Sequence, residues 1–64
     1  MNENFLDLSI GSYEKRLENA KADALRCLAS DKYDLALNLV ADAKAYKAIL
    51  DELHTQREIA DMEE

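Results

Sequence analysis

The sequence predicts an all-α fold, an antiparallel helical hairpin preceded by an N-terminal arm. The chain has 64 residues with one glycine and no proline, so it lacks the residues that usually form the turns of β-sheet proteins. Apolar residues recur at alternating intervals of four and three along most of the chain, which is typical of a helix with one apolar face. A single polar interruption, Ser30-Asp31, divides this pattern into two runs and predicts two helices.

Residues 1–11 are predicted to form an arm outside the helices. The segment is of mixed composition and ends at Gly11, the only glycine. Ser12 follows it, and serine is a favoured N-cap residue. We therefore divide the chain into an N-terminal arm of residues 1–11 and a hairpin domain of residues 12–64 with an acidic C-terminal end.

The first helix is predicted over about residues 12–30. Its apolar face contains Tyr13, Leu17, Ala20, Ala24 and Cys27, and Leu25 and Leu28 widen it. The only cysteine cannot form an internal disulfide. Because it lies on the apolar face, where a free cysteine behaves as a small hydrophobic residue, we expect it to be packed and unreactive.

The second helix is predicted over about residues 31–62. The short connection makes it an antiparallel neighbour of the first helix. Its regular series contains Ala36, Leu39, Ala43, Tyr46, Leu50, Leu53, Arg57 and Ala60. Arg57 is the one polar member of that series.

The two predicted helices differ in length, at roughly 28 Å and 50 Å for a rise of about 1.5 Å per residue. The first would cover only half of the second and would leave an apolar seam in water. The seam is the predicted protein interface and consists of Tyr46, Ile49, Leu50 and Leu53. Either the N-terminal arm folds back over it, or hairpins pair through it into a helical bundle, and the two arrangements are compatible.

The net charge of −6 is concentrated at the C-terminal end. Residues 51–64 carry six acidic residues against Arg57 alone. Three of the acids fall on one helical face and form a predicted acidic surface: Asp51, Glu58 and Asp61. Since nucleic acids and anionic membranes are bound through clustered basic residues, we expect neither as a direct partner.

No catalytic residue, cofactor or metal site is predicted, and we do not expect an enzyme. Asp51 and His54 form an acid-x-x-His pair, but a di-iron site needs two such pairs and further glutamates. No apolar stretch has the length of a signal peptide core or a membrane span. We therefore expect the protein in the cytoplasm, or in the host cytoplasm or virion if it is viral.

The expected function is that of a small helical interaction or structural protein. It would associate with itself, or dock as an accessory subunit on a larger protein assembly, through the seam of the second helix. The alternative is a small acidic inhibitor that blocks a basic site on a host protein in the manner of a nucleic-acid mimic. A phage origin would suit either function.

Overall fold

The computed structural model describes residues 2–62, with side chains from residue 5 onward, and consists of two α-helices. Helix α1 spans Asn2–Ala29 and helix α2 spans Tyr33–Met62. The helices pack against each other as an antiparallel hairpin with extents of 50 × 15 × 11 Å, and residues 2–62 contain no strand. The predicted all-α hairpin is confirmed, whereas the association of hairpins into a bundle stays a prediction.

The predicted start of the first helix near residue 12 is wrong, because α1 begins at Asn2. The residues assigned to an arm form the first turns of α1. The four-and-three spacing in fact continues backwards from Tyr13 through Ile10 to Leu6, and Ile10 is buried. Burying this apolar residue outweighs the cost of about 1 kcal/mol for a glycine inside a helix, so Gly11 does not end it.

The predicted difference in helix length is therefore also wrong. Helix α1 has 28 residues and α2 has 30, and both are about 45 Å long at 1.5 Å per residue. The two helices run beside each other over the whole hairpin. The second half of α2 faces the first turns of α1 and is not left bare by a short partner.

Helix α1 ends in a Schellman motif at the predicted junction. The Lys32 amide donates to the Cys27 carbonyl at 2.8 Å, and the Asp31 amide donates to the Leu28 carbonyl at 3.1 Å. These bonds satisfy carbonyl groups that the helix end would otherwise leave unpaired. Asp31 has a φ of 62°, in the left-handed region that glycine usually occupies at this position. The chain reverses there because of this backbone conformation, without glycine or proline.

The core between the helices is small. Its buried members are Ile10, Ala20, Ala24, Ala36 and Leu50. Alanine dominates the half near the turn, and larger side chains fill the half near the open end. Alanine side chains are small, so this core buries little apolar area. Several of the larger apolar side chains are left exposed on the outside of the hairpin.

Candidate protein-binding surface

The predicted seam lies mainly between the two helices of the hairpin. Leu50 is only 5% exposed, and Tyr46 and Leu53 are half-buried. The ring of Tyr46 packs on the ring of Tyr13 with centroids 6.0 Å apart and planes tilted by 49°. Ile49 remains 37% exposed. The chain's own first helix therefore contacts much of the surface that the sequence assigned to a partner.

A larger apolar surface is open on one side of the hairpin. It is a groove of about 610 Å³ between α1 and α2. The groove is lined by Leu17, Lys21, Ala24, Leu25, Leu28, Val40, Ala43, Lys44 and Lys47. Leu25 is 68% exposed, and Leu28 and Val40 are also exposed. We call this side of the hairpin the groove face.

Helix geometry explains why the groove opens on this side. The core position Ala24 is flanked one residue later by Leu25 and one turn later by Leu28, so apolar side chains continue from the core onto the surface. On α2, Val40 lies one turn after the core residue Ala36 and one turn before Ala43. Small alanines in the core leave the larger neighbouring side chains standing above them as walls.

Three lysines border the groove, although the chain as a whole is acidic. Lys21 Nζ lies 3.4 Å from Glu18 Oε2, and Lys47 Nζ lies 2.9 Å from Asp51 Oδ1. Lys44 completes the set. The aliphatic stems of such lysines cover apolar surface while the ammonium groups stay in water. The groove therefore has an apolar floor and a basic rim.

The opposite side of the helix pair is more polar. A smaller pocket of about 210 Å³ lies there. It is lined by Arg16, Asn19, Ala20, Asp23, Leu39, Asp42 and Tyr46. The guanidinium of Arg16 stands 5.1 Å above the ring centroid of Tyr13, a cation–π contact. Charged and amide groups line this side, whereas the groove face is walled by leucine and valine.

The predicted acidic surface is exposed along the last third of α2. Asp51, Glu58 and Asp61 are all exposed. Asp51 is the acid that pairs with Lys47, so the acidic surface begins where the lysine border ends. Glu63 and Glu64, which extend the acidic end in the sequence, lie outside the described residues.

The groups considered for chemistry are scattered. Cys27 is free and half-buried, and His54 is exposed on α2. Among the described side chains, those of residues 5–62, no three of histidine, cysteine, aspartate and glutamate come together as a metal site would require. Over the same range, neither helix combines the length and apolar character needed to cross a membrane.

Sequence reasoning missed the groove as a site, although its signals were present. Leu25 and Leu28 were recognised only as widening an apolar face. The early part of α2 is apolar around most of its circumference, with exposed residues that include Tyr33, Leu35, Leu37 and Val40. Extra apolar residues beside a helix–helix contact indicate contact on a second side, but of these four only Val40 lines the groove.

No protein-family model matches the chain, and neither a curated protein nor a solved structure is significantly similar to it.

Proposed function

We propose that this protein is a non-enzymatic interaction protein that associates with itself, or docks as an accessory subunit on a larger assembly, through the groove face. One observation carries the proposal: an open groove of about 610 Å³ whose walls are leucine, valine and alanine. Exposed apolar surfaces of this kind are typical of protein–protein contacts. The partner expected from this chemistry is an amphipathic helix with apolar residues for the groove floor and acidic residues for the lysine border.

The size of the core supports the same proposal. Only two of the five buried core residues, Ile10 and Leu50, have large side chains. Small domains with so little buried apolar area gain stability from disulfides, metals or association. The lone cysteine excludes an internal disulfide. Association through the groove face would add stability, because it would bury leucines that the single hairpin leaves in water.

The chemistry of the groove favours docking over catalysis. All nine lining residues are leucine, alanine, valine or lysine. Aliphatic walls bind by excluding water. Because Lys21 and Lys47 already contact Glu18 and Asp51, Lys44 is the border lysine best placed to favour an acidic partner.

A second candidate function is the small acidic inhibitor, which would use the exposed carboxylates of α2. The exposure of Glu58 and Asp61 favours it. Its weakness is that Asp51, the third member of the acidic surface, is already paired with Lys47. Binding through that surface would be strongly weakened by salt, whereas binding through the groove would persist.

Site-specific photo-crosslinking tests the proposed function. A photoreactive phenylalanine analogue is placed at Leu25 on the groove face, or at Ala22 on the outer side of α1 as a matched control. Each chain is expressed in its native cells and irradiated. We expect a product of discrete mass from Leu25 and none from Ala22. The same product should be lost when Val40→Glu is introduced in the Leu25-labelled chain.

Two results would contradict the proposed function. One is equal crosslinking from both positions, and the other is a Leu25 product that persists unchanged in the Val40→Glu chain. Circular dichroism of each purified variant confirms that the hairpin has folded before the comparison is made.

A further inference from the structure

We draw no further inference here: the strongest candidate, the apolar groove between α1 and α2 walled by Leu25, Leu28 and Val40, belongs to the surface already described, and nothing in the part of the chain that the structure describes shows what covers it.

Discussion

Arg57 Nη1 of α2 lies 3.2 Å from Asp7 Oδ1 of α1 and joins the two helices near the open end of the hairpin. Arg57 is the polar exception in the apolar series of α2, and this ion pair explains its place there. The series continues along the contact between the helices, and an arginine at its edge can reach a carboxylate on the facing helix. Both side chains remain about half exposed, so the pair is screened by solvent.

We expect the Asp7–Arg57 pair to contribute about 0.2–1 kcal/mol to stability, as exposed ion pairs do. A double-mutant cycle with Asp7→Asn and Arg57→Gln, measured by urea unfolding at fixed protein concentration, gives the coupling energy. It should shrink in high salt. The Lys47–Asp51 pair, which lies within α2 and does not join the helices, is measured in the same way as the control. A coupling energy of zero between Asp7 and Arg57 at low salt would contradict the contact.

Gly11→Ala should raise the free energy of unfolding by about 0.5–1 kcal/mol. Position 11 lies inside α1, its added β-carbon meets no neighbour, and alanine is the better helix former. Urea unfolding compares the variant with the unmodified chain at a concentration where both are monomeric. A separate arm ending at residue 11 would give no such gain, so an unchanged stability would contradict the continuous helix.

Asp31→Gly should stabilise the hairpin by about 1 kcal/mol, because glycine adopts the left-handed conformation of position 31 without the cost that other residues meet there. Asp31 Oδ1 accepts a hydrogen bond from the Tyr33 hydroxyl at 3.0 Å, which the variant loses, but that bond is exposed. Asp31→Ala is the control and should destabilise, since it keeps the backbone cost and loses the bond. Thermal unfolding measures both variants. Equal changes in melting temperature for Asp31→Gly and Asp31→Ala would contradict the left-handed conformation of position 31.

Leu50→Ala should cost about 2–5 kcal/mol, the range for truncating a buried leucine. Its neighbour Ile49 is 37% exposed against 5% for Leu50, so Ile49→Ala should cost clearly less. Leu50→Asp would place a carboxylate in the core and should abolish folding. Circular dichroism during urea unfolding measures all three, and equal costs for the two alanine variants would show that Leu50 does not face α1.

The change Glu63→Gln with Glu64→Gln should leave stability nearly unaltered. Acidic residues at a helix C-terminus are unfavourable to the helix dipole, so removing their charge costs the fold nothing and gains at most a few tenths of a kcal/mol. Thermal unfolding in low salt is the measurement. A large loss of stability would mean that the acidic end is part of the folded hairpin.

The helical class and the position of the turn could be predicted because both depend on local signals. The four-and-three spacing from Tyr13 onward and the polar pair at Ser30-Asp31 located both helices and their junction. The start of α1 could not be predicted from local rules alone. Gly11 and Ser12 resemble a helix boundary, but packing of Ile10 against the other helix overrides that preference.

The seam of Tyr46, Ile49, Leu50 and Leu53 stays a prediction as an interface, but the reasoning that led to it did not hold. The seam was inferred from a difference in helix length, and that difference disappeared once α1 began at Asn2. The chain does have more apolar residues than its core can bury. Leu25, Leu28 and Val40 are among those that stay exposed. Which side of a helix pair stays open depends on the sizes of the facing core residues, here alanines, and requires the packed structure.

The reactivity of single cysteines on the two sides of α1 tests the central claim most directly. In a Cys27→Ala chain, Leu25→Cys places a thiol on the groove face, where Leu25 is 68% exposed, and Ala22→Cys places one on the outer side of α1. Both thiols should react alike with an alkylating reagent in the dilute purified chain. In the native cells Leu25→Cys should be protected and Ala22→Cys should not, and equal reactivity of the two thiols there would contradict binding through the groove face.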